Sequence, residues 1–555
     1  MDREVIVAYC GAREVICSLG NNLKECFGAM ERYETALSSF DDGTPLCRID
    51  RERLDTKGLE EYTFAEQLSI LALRSISSRS GVKIDNDRTA LIISTTKGNI
   101  DTINCDFERS YLWAMGDKIA SYFGYKGAVT IVSNACVSGV SAVAIGARMI
   151  ENAEVDRAFV VGVDIVSEFV VSGFNSFKSI SAEVCKPYDK SRDGLTLGEG
   201  CGAILLSCEP NVDGDNIVVS GYGMSDDANH ISGPSRTGDG LFFAIDSAMQ
   251  RAGVDCGDIG LINAHGTATP FNDDMESKAI AWAELTASPC NSLKPYIGHT
   301  LGASGVIEIN IAIEQMLRSK VLSVKGYEES GVPFELNVSA RHRDLEINHA
   351  LKCASGFGGT NAAIVLSKAE VSQSLKRGRY ADGLVECGSV MMRNIGEESA
   401  ADTLKREYKT LGDANLKFYK MNNLAKAGYV ASCKLLKGVE LSYEPNRVAV
   451  VLANRSGSLD ADLNHQEIVD KHLPEGASPT IFVYTLANIV AAEVAIKHKL
   501  QGEVTMFVME QKDMKFLERY SHQLIALGEC DAVVYGWCEL LKNEYDIELK
   551  LIKHI

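Results

Sequence analysis

One cysteine in the first third of the chain occupies a position suited to nucleophilic catalysis. Cys136 lies in the run AVTIVSNACVSGVSAVAIGARM, after an apolar strand-like segment and at the start of an amphipathic helix-like segment. A helix N-terminus offers partial positive charge and free backbone N–H groups, which lower the pKa of a thiol and favour the thiolate. Free cysteines are more often simply buried, so Cys136 needs supporting residues elsewhere in the chain.

Such residues follow in loops between predicted strands and helices. His265 comes directly after the strand-like run DIGLINA, and Lys294 precedes His299 by five residues in SLKPYIGHTLGASG. Phe357 stands between two glycines in CASGFGGTN. Each signal is weak alone, because a glycine-rich turn commonly marks only a bend. Their order along the chain makes the combination informative.

This constellation resembles the β-ketoacyl-acyl carrier protein synthases, the decarboxylating condensing enzymes of the thiolase fold. The resemblance covers roughly residues 1–369 and rests on five ordered motifs: NACVSG, CKPYDKSRDGLTLGEGCG, AHGTATPFNDDMES, KPYIGHTLGASG and GFGGTN. It implies an α/β fold of two similar halves in five layers, α-β-α-β-α. It also implies that the substrates arrive on the phosphopantetheine of acyl carrier protein, and that no cofactor or metal is bound.

The resemblance assigns the chemical steps to four residues. Cys136 would hold the acyl group as a thioester, which splits one difficult step into two easier ones. His265 and His299 would donate hydrogen bonds to the enolate oxygen that forms when malonyl carrier protein loses carbon dioxide. The backbone N–H groups of Cys136 and Phe357 would form the oxyanion hole, and Phe357 would gate the pocket.

Four further residues receive supporting roles by the same resemblance. Lys294 would orient the first histidine, and Glu308 would be its carboxylate partner. An ordinary half-buried ion pair is the alternative for these two residues. Thr267 and Thr269 would bind the pantetheine amides through their hydroxyl groups.

Other residues near the motifs bear on metal binding and on acyl preference. Asp273 and Glu276 could form a metal or acid/base pair, but carboxylates at a helix start usually complement the helix dipole. Asn134, Val137 and Ser355 depart from the family pattern, which has a threonine, a small polar residue and an aromatic residue there. We expect these departures to affect acyl preference and to leave the Cys-His-His set intact.

The elements that must position these residues follow an α/β pattern. Apolar runs rich in β-branched residues, such as RTALIIST and RAFVVGVD, alternate with helix-period stretches, which predicts a largely buried sheet. We expect a ketosynthase domain at residues 1–371, with halves at about 1–210 and 211–371. A polar, basic segment at residues 372–383 is the predicted linker.

The remainder, residues 384–555, repeats the first half. The aligned pairs are residues 447–460 with 88–101, 501–511 with 126–136, and 524–536 with 149–162. The alignment predicts that the repeat stops near the equivalent of residue 167. Gln511 takes the place of Cys136, and no following region supplies the two histidines. We therefore expect a truncated, inactive half-domain.

Glutamine at this position resembles the chain-length-factor partners of aromatic-polyketide and aryl-polyene synthases. The alternative is a decayed duplication in which Gln511 is merely tolerated. Condensing enzymes of this fold dimerise through the strand before the nucleophile. We expect the half-copy to cover that face in cis, with residues 478–496 packing around residues 111–122. A further oligomer stays possible.

Composition excludes several other classes of function. The formal net charge of −19 argues against nucleic acid or an anionic membrane as the main partner. The 16 cysteines are scattered without a C-x-x-C pair, so they are predicted to be core residues. The chain has no apolar run of 18 residues and no signal-like start, which predicts a cytoplasmic protein.

Two alternative functions are weighed against the ketosynthase. A non-catalytic scaffold for chain length or carrier docking would normally have lost the cysteine or a histidine, and this sequence keeps all three. A non-decarboxylating thiolase would need a second catalytic cysteine near the C-terminal glycine turn. Cys353 lies in a strand-like run before that turn rather than within it.

Overall fold

The computed structural model describes residues 6–85, 88–211, 216–372, 383–394, 398–471 and 476–554. Most of the predicted linker, residues 373–382, lies outside these ranges. No helix within the described ranges is long and apolar enough to cross a membrane.

The secondary structure alternates strands and helices from end to end. The strands are β1 (Ala8–Cys17), β2 (Leu37–Ser39), β3 (Pro45–Cys47), β4 (Thr89–Ser94), β5 (Val129–Val132), β6 (Arg157–Asp164), β7 (Leu197–Gly198), β8 (Gly200–Ser207), β9 (Ile217–Asp226), β10 (Ile259–Asn263), β11 (Pro289–Asn291), β12 (Lys320–Val321), β13 (Asn337–Val338), β14 (Arg343–Asp344), β15 (His349–Ser355), β16 (Thr360–Lys368), β17 (Leu384–Arg393), β18 (Val448–Asn454), β19 (Val504–Val508), β20 (Ala532–Leu541) and β21 (Glu544–His554). The α-helices are α1 (Leu23–Glu31), α2 (Phe64–Ser80), α3 (Leu112–Phe123), α4 (Ser138–Glu151), α5 (Glu168–Ser176), α6 (Asp239–Ala252), α7 (Pro270–Trp282), α8 (Lys294–Ile297), α9 (Ser304–Leu317), α10 (Ala400–Thr410), α11 (Asn423–Leu435), α12 (Leu459–Asp470), α13 (Pro479–Val483), α14 (Ile489–His498) and α15 (Met514–Ala526).

Three units of the same topology follow one another along the chain. Each has five strands whose spatial order, numbered by their sequence within the unit, is 1-5-4-2-3. The units are β1-β8-β6-β4-β5, β9-β16-β15-β10-β11 and β17-β21-β20-β18-β19. In each unit strands 4, 2 and 3 are parallel, whereas strand 5 is antiparallel to strands 4 and 1. The first two units are the two similar halves that the sequence predicts, and the thiolase-like fold is confirmed.

The apolar runs of the sequence become the parallel strands because helices cover both faces of the sheet. All six residues of β4 (TALIIS) and all five of β19 (VTMFV) are buried. Strand β5, which precedes the nucleophile, is buried in three of its four residues, so it differs little in burial from β19. What distinguishes the units is the loops at their strand ends.

The first and third units join into one sheet through their third strands. Strand β5 pairs antiparallel with β19, with Val132 opposite Phe507. The side chain of Asn134 extends the junction, because its Oδ1 accepts the Met506 N–H at 2.7 Å and its Nδ2 donates to Val504 O at 3.4 Å. Asn134, which departs from the family pattern, is thus an interface residue. These contacts to the third unit do not support the expectation that Asn134 affects acyl preference.

The third unit is more complete than the alignment predicts. It does not stop near the equivalent of residue 167, because β21 follows β20 and pairs with it as β8 pairs with β6. Strands β6 and β8 are connected by residues 165–199, whereas β20 and β21 are connected by Lys542 and Asn543 alone. The third unit therefore lacks an internal segment, the one that carries α5 and β7 in the first unit. This gap ended the alignment early.

The predicted packing of residues 478–496 on residues 111–122 is also wrong in its main contact. Phe482 of α13 packs on α5, with its ring centroid 5.4 Å from that of Phe174. A Cβ atom on Gly173 would lie 2.1 Å from the Phe482 ring. Tyr111 and Trp113 instead contact Arg455, whose guanidinium lies 4.8 and 5.0 Å from their ring centroids. Strand β19 lies along β5, the strand before the nucleophile, and α13 packs on α5.

A buried ion-pair cluster between the first and third units generates the first prediction. Arg148 of α4 is 1% exposed and pairs with Glu503 at 2.8 Å and with Glu529 at 2.5 Å. The variant Arg148→Ala leaves both carboxylates without this partner, so we expect the free energy of unfolding to fall by about 3–5 kcal/mol. Chemical denaturation measures the loss. The control Arg157→Ala breaks a more exposed pair with Glu209 and should cost at most about 1 kcal/mol. Equal losses in the two variants would contradict this assignment.

Candidate active site

Two turns of similar shape bring the nucleophile and one histidine together. Ala135 before Cys136 has φ +49°, and Leu301 after His299 has φ +50°. Each turn leads directly into a long buried helix, α4 or α9. The helices touch at their first turns, where a Cβ on Gly139 would lie 2.8 Å from the Cα of Gly305. The glycines noted in both motifs permit this close approach.

The three predicted catalytic side chains meet at this crossing. His299 Nε2 lies 3.1 Å from Cys136 Sγ, although 163 residues separate them. The ring centroids of His265 and His299 are 5.2 Å apart, with ring planes at 85°. The sulfur and one nitrogen of each histidine all lie within 4.8 Å of one another, and all three residues are buried. One substrate atom can therefore face all three groups.

Ser304 completes the hydrogen bonding of His299 and was missed by the sequence reasoning. Its Oγ lies 3.0 Å from His299 Nδ1 and 3.0 Å from Thr300 Oγ1. A hydroxyl group can donate or accept, so Ser304 suits either tautomer of the ring. The sequence feature that could have identified Ser304 is its position within GASG, where α9 begins.

The loop that carries His265 is held by an acidic residue from α7. Glu276 accepts the His265 N–H at 2.6 Å, the Gly266 N–H at 2.8 Å and the Tyr188 hydroxyl at 2.8 Å. Asp273 accepts the Tyr188 N–H at 2.8 Å. Both carboxylates are thus occupied by loop contacts, a positioning role more specific than complementing the helix dipole.

A buried cluster of two lysines and one glutamate lies behind the histidines. Lys294 Nζ donates to the backbone oxygen of His265 and lies 3.0 Å from Glu308 Oε1. Lys352 Nζ bonds the other oxygen of Glu308 and approaches Ala264 O at 3.3 Å. The sequence reasoning found the pair Lys294–Glu308 and missed Lys352. The sequence feature that could have identified Lys352 is a lysine inside the largely apolar strand β15.

Burial and this cluster determine which groups of the site are charged. Burial first, and then Lys294, hold the pKa of His265 well below its ordinary value, and the same holds for His299. Burial alone would raise the pKa of Glu308, but the two lysines bring it below its ordinary value. The two histidines are therefore neutral, and Glu308 is the carboxylate that balances the lysines.

The thiol of Cys136 departs from the sequence-based expectation. Burial raises its pKa to about 12, which outweighs the lowering by Lys294 and by the helix start. The expectation that the helix terminus alone favours a thiolate is wrong for this enclosed site. The resting pair is a thiol hydrogen-bonded to a neutral imidazole, with His299 Nε2 placed to accept the proton.

Phe357 belongs to a turn that packs against the segment of Cys136. Its ring stacks on Phe177 and Phe174, with centroids 5.4 and 6.2 Å away. The preceding glycine makes this contact close, because a Cβ on Gly356 would lie only 3.2 Å from the backbone nitrogen of Cys136. The backbone N–H groups of Cys136 and Phe357 thus belong to chain segments in contact, as an oxyanion hole requires.

The two predicted pantetheine contacts, Thr267 and Thr269, are hydrogen-bonded to each other with their hydroxyl oxygens 2.9 Å apart. Beyond them, a cavity of about 920 Å³ lies between the loop at residues 227–237, α7 and the third unit. The loop reaches the turn of Phe357, since Ile231 O accepts the Gly358 N–H at 2.7 Å. The loop that lines the cavity thus also contacts the turn that carries Phe357.

Comparisons with known proteins agree with this geometry. Residues 71–210 match the family model "Beta-ketoacyl synthase, N-terminal domain", and residues 217–325 match "Beta-ketoacyl synthase, C-terminal domain". A 3-oxoacyl-[acyl-carrier-protein] synthase 2 of Staphylococcus aureus (strain MRSA252) is 30% identical over 418 residues, covering 66% of this chain and 98% of that protein.

Solved structures extend the likeness to the third unit. A ketosynthase in complex with its chain length factor from Xenorhabdus doucetiae is 27% identical, with a TM-score of 0.61 over 66% of this chain and 100% of that one. A keto synthase-chain length factor named PfaC matches 99% of this chain and 78% of its own with a TM-score of 0.76, and at 13% identity it shows the fold alone. With its motifs, fold and family matches in agreement, the chain belongs to the β-ketoacyl synthase family of acyltransferases, the condensing enzymes.

Proposed function

We propose that this chain condenses an acyl group held on Cys136 with malonyl-acyl carrier protein, in fatty acid, aryl-polyene or polyketide-type biosynthesis. The observation that carries the proposal is the 3.1 Å contact of His299 Nε2 with Cys136 Sγ, with His265 on the same side. A non-catalytic scaffold is the alternative function. It is disfavoured because a scaffold has no need of two buried neutral histidines aimed at a buried thiol.

Acyl transfer is the first half-reaction. The Cys136 thiol gives its proton to His299 Nε2 as its sulfur attacks the thioester carbonyl of acyl carrier protein. The oxyanion formed accepts hydrogen bonds from the backbone N–H groups of Cys136 and Phe357. As the intermediate collapses, the carbon–sulfur bond to pantetheine breaks and the departing sulfur receives the proton from His299. The histidine is then neutral again.

Decarboxylation and condensation form the second half-reaction. With Cys136 acylated and His299 in the Nε2–H tautomer that the Ser304 hydroxyl also permits, the two histidines face the thioester oxygen of malonyl carrier protein, each donating an N–H. The bond to the carboxylate breaks, carbon dioxide leaves, and its electron pair forms the enolate, whose oxygen the two donors stabilise. The enolate carbon attacks the acyl carbonyl, the bond to Cys136 breaks, and the released thiolate takes up one proton from solvent to restore the resting thiol. The cluster of Lys294, Lys352 and Glu308 keeps His265 neutral and holds its main chain throughout.

The partner is an acyl carrier protein that docks at the cavity beside the gate. Four basic residues line the cavity, Arg236, Lys278, Lys417 and Lys499, in a chain with a net charge of −19. Three aspartates also line it, Asp227, Asp239 and Asp274, and each of them is bonded to a neighbouring side chain. The first two basic residues belong to the second unit, and the last two belong to the third. Such a local basic field fits an acidic partner, and Thr267 and Thr269 lie on the path that its pantetheine arm would follow.

The third unit acts as a built-in counterpart of a chain length factor. Its β19 occupies the edge of β5, where a second ketosynthase copy would otherwise pair. Its Gln511 is exposed, whereas Cys136 is buried. Residues 384–555 would thus replace one face of a dimer without an active site of their own. No cofactor is needed beyond the substrates' own phosphopantetheine.

The site residues generate the second prediction. We expect Cys136→Ala to abolish β-ketoacyl formation while the protein stays folded, because a small side chain is removed. Cys136→Gln should stop condensation and keep malonyl decarboxylation. His265→Ala and His299→Ala should each slow carbon dioxide release at least about a hundredfold, the scale of one oxyanion donor. Product and carbon dioxide are measured by mass spectrometry and a coupled assay. Normal carbon dioxide release in both histidine variants would refute the proposal.

The raised thiol pKa generates the third prediction. Because the thiolate is the reactive form, alkylation of Cys136 by iodoacetamide should keep accelerating from pH 7 to pH 10.5, without a plateau. A cysteine of ordinary pKa, about 8.5, levels off within this range. Mass spectrometry of the labelled peptide gives the rate, and a short unfolded cysteine peptide serves as the reference. A plateau below pH 9 would show that Cys136 is a thiolate at rest.

The basic residues of the cavity generate the fourth prediction. Lys417→Glu and Arg236→Glu reverse charges at the cavity, so each should raise the KM for acyl carrier protein about tenfold or more, with kcat nearly unchanged. Activity with a short acyl-pantetheine thioester should not change, because this substrate lacks the protein surface. Lys409→Glu reverses an exposed charge of α10 away from the cavity and is the control. An equal rise in KM for this control would assign the effect to overall charge instead.

A further inference from the structure

The turn that carries Phe357 is held by contacts from two different units. Gly358 and Gly359 have φ values of +96° and +83°, so the turn consists of residues with little intrinsic rigidity. The peptide between Phe357 and Gly358 is bonded at both ends. Its N–H donates to Ile231 O at 2.7 Å, and its carbonyl oxygen accepts Asn488 Nδ2 at 2.9 Å. The second bond comes from the third unit.

The bond to the Phe357 turn is the one hydrogen bond that the Asn488 side chain makes within the described residues. Asn488 precedes the first residue of α14 and is fully buried. Among the described residues its Oδ1 has no hydrogen-bond partner. Leaving a buried amide oxygen unpaired is costly, so the favourable polar contact of this side chain is the bond that its N–H donates to the turn. The turn and α14 are in direct contact, since a Cβ on Gly358 would lie 2.7 Å from Asn488 Nδ2 and 3.2 Å from Ala492 Cβ.

A comparison of the first and third units shows that this hydrogen bond has no counterpart at the equivalent position, Trp113. Counting back from the aligned pair Gln501 and Lys126, Asn488 corresponds to Trp113 in the first unit. The Phe357 turn connects β15 and β16 of the second unit, so its counterpart on the side of Trp113 would belong to a further unit, which the described residues do not contain. Trp113 instead stacks with Arg455. Asn488 therefore places an amide donor beside the Phe357 turn, whereas its counterpart Trp113 has no such turn to bond among the described residues.

We propose that Asn488 is a positioning residue for the condensing site. By fixing the peptide after Phe357, it aims the Phe357 N–H at the acyl carbonyl and sets the rest position of the Phe357 ring. Opening of the gate requires this peptide to rotate and breaks the bond to Asn488. The third unit thus controls the oxyanion hole and the gate of the first two units. The inference rests on the oxyanion role proposed above for Phe357.

Partial reactions of the full-length protein test this role. In Asn488→Ala and in the nearly isosteric Asn488→Asp, we expect acyl transfer to Cys136 and overall kcat to fall about tenfold or more. The KM for acyl carrier protein should change less than about twofold. Decarboxylation of malonyl carrier protein, measured in the Cys136→Gln background, should be unchanged, because it uses the histidines and not the Phe357 N–H. Intact-mass kinetics follow the acyl transfer.

The control is Asn422→Ala, which removes another asparagine of the third unit. Asn422 caps α11 by accepting the Ala425 N–H and does not touch the turn. It should lower the melting temperature without changing either partial reaction. If Asn488→Ala is too unstable, Asn488→Asp carries the test.

Two results would overturn the inference. One is unchanged acyl transfer in both Asn488 variants. The other is an equal loss of acyl transfer and decarboxylation in proportion to the folded fraction, which is the behaviour of a purely structural residue. Failure of the proposed function looks different, since wild-type protein would then form no acyl adduct on Cys136.

Discussion

The contact of α4 with α9 at Gly139 and Gly305 is the constraint on which the site depends. Each helix follows a turn with a positive φ value, and one turn carries Cys136 while His299 immediately precedes the other. Only the lack of side chains at the crossing lets the two helix starts approach closely enough for the 3.1 Å contact between sulfur and nitrogen. The equivalent turns of the two halves thus become one catalytic centre because the units are packed back to back.

Charge is arranged around this centre so that the reacting groups are neutral. Lys294 and Lys352 share the two oxygens of Glu308, and the lysine side chains also reach the backbone behind His265. Burial with nearby positive charge keeps both histidines neutral, which is the state that the proposed roles require: His299 accepts the thiol proton, and both rings donate to the enolate. Removing one partner from such a cluster would leave an uncompensated buried charge.

The third unit supplies contacts that the first two units cannot make by themselves. Its β19 closes the edge of β5, its Phe482 packs against α5, and its Asn488 bonds the Phe357 turn. The segment missing from this unit, equivalent to residues 165–199, carries α5 in the first unit. The third unit therefore contains the strands that build the junction and lacks a counterpart of the segment that carries α5.

The sequence by itself identified the candidate catalytic residues and the repeat. Cys136, His265, His299 and Phe357 stand in local motifs whose glycines and strand–helix boundaries can be read directly, and the parallel strands appear as apolar runs. The family and the thiolase-like fold followed from these motifs. The alignment also placed Gln511 opposite the nucleophile, because that region repeats almost without gaps.

Only the tertiary structure decided the properties that depend on distant partners. Burial raised the thiol pKa of Cys136 above what its helix start predicts, because desolvation depends on all surrounding segments. Lys352, Ser304 and Asn488 gained their roles from residues far away in sequence or from a turn's orientation. The strand β21 was hidden because a long insertion in one repeat interrupts the alignment, whereas strand pairing is unaffected by the length of a connection. Local patterns encode elements and reactive residue types, and long-range packing fixes their environment.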